Sequence, residues 1–173
     1  MADLNDILKH VIGPGLALLP ASMDTPAARI MLLAIGLQES RFDYRRQING
    51  PARGLWQFER GGGVTGVLRH RASADLADSV CKQRGVDPMP AAVYAQLEHD
   101  DLLACAFARL LLWTDPQPLP AAGQVEAAWQ YYLRNWRPGA YSNGDAAARA
   151  SLRAKWGRNY AAAMDALMQR NPT

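Results

Sequence analysis

"DTPAARIMLLAIGLQES" spans Asp24 to Ser40 and decides the fold. Asp24 or Thr25 can cap a helix, and Pro26 falls at its first position, where a missing N–H is no loss. From Ile30 to Leu37 no position is polar, so this helix has no solvent face there and must be buried on most sides. The run then meets one carboxylate, Glu39, and gives way to a polar loop rich in arginine and glycine, "RFDYRRQINGPARGLWQFERGGG" (Arg41–Gly63).

Working outward, a chain of 173 residues suits one domain over residues 1–173, with enough length for a real core. Its 49% hydrophobic and 20% charged residues exclude disorder. A net charge of +3 and a pI near 9.1 favour an acidic polymer, cell wall or nucleic acid, without choosing between them. A soluble surface with a small charge excess gives the same figures. Cys81 and Cys105 form no CxxC and are expected as buried free thiols. His10, His70 and His99 are scattered, and "EHDD" (Glu98–Asp101) is half a metal site with no second ligand cluster. No metal or other cofactor is therefore expected.

No segment reaches the roughly 20 apolar residues of a membrane span. "KHVIGPGLALLPASM" (Lys9–Met23) has the outline of a secretory leader, but Asp3 and Asp6 are acidic where a leader is basic, and Gly13-Pro14-Gly15 interrupts the run. A short helix, a turn and a second helix starting near Pro14 account for the same letters. The expectation is no signal peptide, hence synthesis in the cytoplasm.

Strand signals are poor and helical ones strong. "MPAAVYAQLEHDDLLACAFARLLLW" (Met89–Trp113) reads as one long helix stopped by prolines 116, 118 and 120. In "GQVEAAWQYYLRNW" (Gly123–Trp136), Val125, Ala128, Trp129, Tyr132, Leu133 and Trp136 fall on one face. A last helix from about Asp145 carries Leu152, Trp156, Tyr160, Ala163 and Leu167 on one stripe. Between Asn49 and Gly66 the glycines point to an irregular loop or a short β-hairpin. The fold class is mainly α.

Glu39 follows Ile35 by one turn and Met31 by two, so it extends an apolar stripe. Desolvation by that wall disfavours its charged form, as does the negative end of the helix dipole. Both raise its pKa, towards an acid still protonated near neutral pH. A general acid that must protonate a poor leaving group, such as a glycosidic oxygen, needs that property. Position alone also fits an ordinary exposed helix end, with Glu39 paired to Arg41 or Arg45.

The letters that follow add to this. Glu39-Ser40 and, fifteen residues on, Gly54-Leu55-Trp56-Gln57 resemble the paired motifs of the lysozyme-like superfamily. The motifs are most similar to those of soluble lytic transglycosylases, with goose-type lysozymes close behind. Such proteins have a helix ending in Glu-Ser, then Gly-Leu-Met-Gln, then Ala-Tyr-Asn on a late helix. Here Trp56 replaces the methionine, and Tyr131 and Tyr132 stand near the third motif without a Tyr-Asn pair. The likeness covers roughly Pro26 to Gly139.

The resemblance implies a single lysozyme-like domain acting as a monomer on peptidoglycan glycan strands, with no nucleotide. Glu39 would protonate the oxygen between N-acetylmuramic acid and N-acetylglucosamine. In a transglycosylase its anion then takes the proton of the sugar's 6-hydroxyl, and one carboxylate is enough; a hydrolase needs a second. Asp43 and Glu59 are the candidates for that second carboxylate, or are surface charges paired with Arg45, Arg46 or Arg60. Ser40 would bond Glu39 or a sugar substituent, or simply end the helix. Gln57 would donate to an N-acetyl carbonyl. Trp56 offers a flat face to a sugar ring, or belongs to the core. One of Tyr131 and Tyr132 would face the acid. A muramidase without a leader suits a bacteriophage, delivered to the periplasmic wall. A non-catalytic wall-binding or virion-structural protein, and a helical nucleic-acid-binding protein, are the rivals. "ERGGGVTG" lacks the Gly-Lys-Ser/Thr ending of a phosphate loop.

Overall fold

In the computed structural model, which describes residues 2–169, the N-terminal run does not turn at Gly13-Pro14 as expected. Helix α1 (Leu4–Ile7) passes through a π-helical stretch, Leu8–Ile12, directly into α2 (Gly13–Leu16). Gly13 N–H bonds the Leu8 carbonyl, one residue further back than in an α-helix. The widened turn moves the preceding carbonyls away from the Pro14 ring, which would clash with a regular α-turn.

The decisive helix forms as its sequence dictates. α3 (Pro26–Glu39) starts with Thr25 Oγ1 accepting the Ala28 N–H at 3.1 Å, and its residues from Ile30 to Leu37 are buried. It ends because Arg41 and Phe42 turn left-handed, at φ 56° and 57°. That conformation costs about 1–2 kcal/mol for a residue with a Cβ, and packing of the Phe42 ring opposes the cost. The ring lies so close to α3 that a Cβ on Gly36 would meet Phe42 Cζ at 2.1 Å, and it meets Trp56 edge-on at 5.6 Å.

The loop after α3 is irregular, with isolated β-bridges Arg46–Arg53 and Arg53–Phe58 rather than a hairpin. From Arg60 the glycines do not prevent regular structure. A π-helical turn, Arg60–Val64, runs into α4 (Thr65–Arg69), with both the N–H and the hydroxyl of Thr65 bonding the Arg60 carbonyl. α5 (Ala74–Arg84) follows.

The long helix expected over Met89–Trp113 is two helices, α6 (Pro90–Gln96) and α7 (Asp101–Trp113). Asp100 breaks it. Its Oδ1 accepts the N–H groups of Leu102 and Leu103 at 3.1 and 3.0 Å, capping α7. Arg84 Nε holds its Oδ2 at 2.8 Å. α8 (Val125–Trp136), the short α9 (Gly139–Ser142) and α10 (Ala146–Gln169) complete the chain.

The result is one mainly α, compact domain. α7 forms its middle, packed by α2, α3, α4 and α5, while α10 lies along α3. Cys81 and Cys105 are buried and unpaired to each other, as expected. No helix among the described residues is long and apolar enough to cross a membrane.

Candidate active site

The turn Gly54–Gln57 is strapped to the end of α3. Ser40 Oγ donates to the Leu55 carbonyl at 2.6 Å and accepts the Phe42 N–H at 3.1 Å. Trp56 Nε1 donates to the Leu32 carbonyl at 2.9 Å, and the Trp56 carbonyl accepts Trp136 Nε1 at 3.0 Å. Gly54 opens the turn at φ +77°, where its Cα comes so near the Leu97 carbonyl that a Cβ would stand 3.0 Å from it.

Two expected substrate contacts are corrected by this arrangement. Ser40 is wholly buried, with its hydroxyl committed to backbone, so it reaches neither Glu39 nor a ligand. Trp56 is 0% exposed and presents no face to a sugar. Both fix the helix end instead. Gln57 is half-buried; its Nε2 donates to the Gly54 carbonyl at 2.9 Å and it emerges on a cavity of about 530 Å³.

The tyrosine question is resolved by the helix register. Tyr132 Oη donates to Glu39 Oε1 at 2.6 Å. Its ring is held between Trp156 of α10, stacked at 5.0 Å and 14°, and Trp136 of α8, at 6.4 Å and 28°. Tyr131, one step round the helix, points elsewhere: its hydroxyl lies 3.0 and 2.9 Å from the Leu112 and Gln117 carbonyls.

Glu39 is half-buried at the last position of α3. Burial raises its pKa from the ordinary 4.5 to about 7, against the opposing pull of the Tyr132 hydroxyl and the Lys155 cation. Burial and the adjacent carboxylate push the Tyr132 hydroxyl far above its usual value, so it stays a proton donor. The Lys155 ammonium is lowered by desolvation, with Glu39 acting the other way. Its Nζ donates to the Gln38 carbonyl at 2.6 Å, and Asn159 Nδ2 donates to Gln38 Oε1 at 2.8 Å, so α10 clamps the residue before the acid.

Lys155 and Asn159 went unread in the sequence. Trp156 was placed on a buried stripe; its neighbour Lys155 had only the signature of a solvated helix face. The signal available was that a buried stripe on α10 must leave its flanking residues at the rim of whatever it covers.

Of the two further carboxylates, Asp43 lies past the helix end on an exposed turn, 3.6 Å from Arg41. It does not continue the face of Glu39, because Arg41 and Phe42 have reversed the chain. Glu59 is exposed on the wall of the cavity that Gln57 lines, together with His70, Arg134, Trp136 and Arg137. Among the described residues no ion pair or side-chain hydrogen bond engages Glu59. Glu39 and Tyr132 are not on that wall, and Trp136, which lines the cavity and stacks on Tyr132, connects the two.

Among the described residues no group of three or more His, Cys, Asp or Glu is arranged to hold a metal ion. No family model, no curated protein and no solved structure matches the chain.

Proposed function

We propose that the protein is a peptidoglycan-degrading glycosidase of lysozyme-like type, with Glu39 as general acid and then general base. One observation carries this: a carboxyl group raised to about 7, half-buried at a helix end, with a tyrosine hydroxyl 2.6 Å from one oxygen and a lysine cation nearby. Near pH 7 about half of such groups hold a proton, so the acid can give one and its anion can take one back.

In the forward step the Glu39 proton goes to the bridging oxygen, and the bond from that oxygen to C1 of N-acetylmuramic acid breaks. The electron pair leaves with the oxygen, and positive charge develops at C1 and the ring oxygen. The Glu39 anion left behind keeps the Tyr132 hydrogen bond. In a lytic transglycosylase it then removes the proton of the 6-hydroxyl as O6 closes on C1, which restores the acid and needs no second carboxylate. That outcome is favoured because Asp43 lies past the chain reversal at Arg41 and Phe42 and stands 3.6 Å from Arg41. Glu59, on the cavity wall, is the residue left to serve a hydrolytic outcome.

Glu39→Gln keeps the shape and removes the proton donor. Clearing of purified cell walls should fall roughly 1000-fold, within the range that general acids contribute, with the helical circular dichroism intact. Clearing by the variant at the wild-type rate would refute the assignment. Wild-type protein that binds walls without clearing them would mean a non-catalytic wall-binding or virion-structural protein. Released fragments with anhydro ends, lighter by one water than reducing ends, mark transglycosylation.

A further inference from the structure

A second cavity, of about 760 Å³, shares no lining residue with the first. It lies between the start of α3, the end of α7 and the proline-rich segment that follows, where Arg109, Trp113, Leu112, Leu119, Thr25 and Ala27 contribute to its wall. Three observations there are independent of Glu39.

First, Arg109 is only 3% exposed, yet among the described residues no carboxylate forms an ion pair with it. Nε donates to the Met23 carbonyl at 2.9 Å, while Nη1 is buried with no partner among the described residues. The two acids nearby are committed. Asp24 receives both Nε and Nη2 of Arg29, at 2.7 and 2.8 Å. Asp115, also on the cavity wall, receives Arg134 and Asn135, each at 2.7 Å. A buried guanidinium is costly to leave without an anion or a full set of acceptors.

Second, Thr25 and Ala27 are the N-cap and second residue of a 14-residue helix, so the positive end of α3 adds to the field of Arg109. Third, Trp113 is 44% exposed although large and apolar, and the Arg109 guanidinium stands 5.4 Å from its ring centroid.

We propose that this cavity is a ligand site for a small molecule carrying one carboxylate on an apolar body, the carboxylate meeting Arg109 and the body lying on Trp113. The volume suits a small ligand, and the wall sets the Arg109 cation among mostly apolar side chains, with the Asp115 carboxylate already held by Arg134 and Asn135. A carboxylate fits because a guanidinium N–H makes a short, charge-assisted bond to a carboxylate oxygen. Removal of the carboxylate's water is offset there by a buried cation that has no carboxylate partner of its own among the described residues.

The test uses the full chain with 3-phenylpropionate and its neutral amide, 3-phenylpropionamide, followed by calorimetry and by NMR of the Trp113 indole and Arg109 Nε–H. The carboxylate should move both signals and bind at least about tenfold more tightly than the amide, a difference of roughly 1.4 kcal/mol. Arg109→Met should abolish binding. If that variant does not fold, Trp113→Ala, at a half-open position, should weaken binding several-fold while wall clearing is unchanged. No shift at about 10 mM carboxylate, equal binding of the amide, or binding indifferent to both substitutions would overturn the proposal, leaving buried water as the partner of Nη1. None of these outcomes depends on Glu39, so failure here leaves the glycosidase assignment standing.

Discussion

Glu39 and Asp100 are both carboxylates at the end of a buried helix, and they sit at opposite ends. Asp100 caps the N-terminus of α7, where it accepts two backbone N–H groups and the Arg84 guanidinium. Glu39 closes the C-terminus of α3, where the orphan backbone groups are carbonyls and can give it nothing. Among the described residues its one side-chain donor is the Tyr132 hydroxyl, and Lys155, whose Nζ bonds the Gln38 carbonyl, acts on it through charge. One acid is saturated and holds two elements together. The other has a single side-chain donor among the described residues, and burial raises its pKa to about 7. On the proposed function the contrast separates a structural carboxylate from a proton-transferring one, and substitutions at the two positions should separate likewise.

The largest effect is expected at Glu39, where Glu39→Gln should cost about three decades of wall clearing, or roughly 4 kcal/mol of barrier. The same variant should gain stability. Between pH 4.5 and 7 the folded protein holds a proton on Glu39 that the unfolded chain has lost, so stability falls as pH rises through that window and levels off above it. The full loss is about 3 kcal/mol. Urea unfolding should thus find Glu39→Gln more stable than wild type at pH 8 by nearly that amount, and closely matched at pH 4. Parallel curves for the two proteins would mean that Glu39 ionises freely, and the contrast with Asp100 would be void.

Asp100→Ala should behave in the opposite sense, losing about 2–3 kcal/mol of stability through the lost cap and the stranded Arg84. Clearing per folded molecule should stay close to wild type. A loss of activity without a loss of stability would place Asp100 in the chemistry after all.

Tyr132→Phe comes next. Phenylalanine keeps the stack on Trp156 and removes the 2.6 Å hydrogen bond, which favours the anion of Glu39. The acid's pKa should rise, moving the alkaline limb of the pH–rate profile upward, while the maximal rate falls about tenfold as the anion loses its donor. An unmoved limb would assign Tyr132 to packing alone.

How much of this was legible depends on range. α3 could be read letter by letter, since Thr25, Pro26 and an all-apolar turn pair are local signals with local causes. The same stretch gave the direction of the Glu39 shift through burial, while fitting an exposed helix end as well. What failed were signals that tertiary structure reuses. Leu97 and Leu102 continue an apolar pattern across Asp100, so the break between α6 and α7 hid behind a hydrophobic run that serves two helices. Ser40 and Trp56 have side chains able to meet a sugar, and nothing local says that Leu55 and Leu32 offer their carbonyls first. Tyr131 and Tyr132 differ by one step of helix, and only the partner surface of α10 distinguishes them.

Lys155 is the sharpest case of such long-range placement, and it gives the smallest effect. It lies 117 positions after Gln38, on a helix whose exposed faces are polar, and bonds the carbonyl next to the acid only because α10 packs along α3. Its positive charge opposes the burial that raises Glu39, so Lys155→Met should move the alkaline limb to higher pH by up to about one unit. The lost bond to the Gln38 carbonyl should cost about 1 kcal/mol of stability besides. Lys155→Arg keeps the charge and should leave the limb in place even if the strap is imperfect. A shift equal in the Met and Arg variants would mean that geometry rather than charge sets the proton affinity of Glu39. The acid would then owe its properties to the clamp on Gln38 alone.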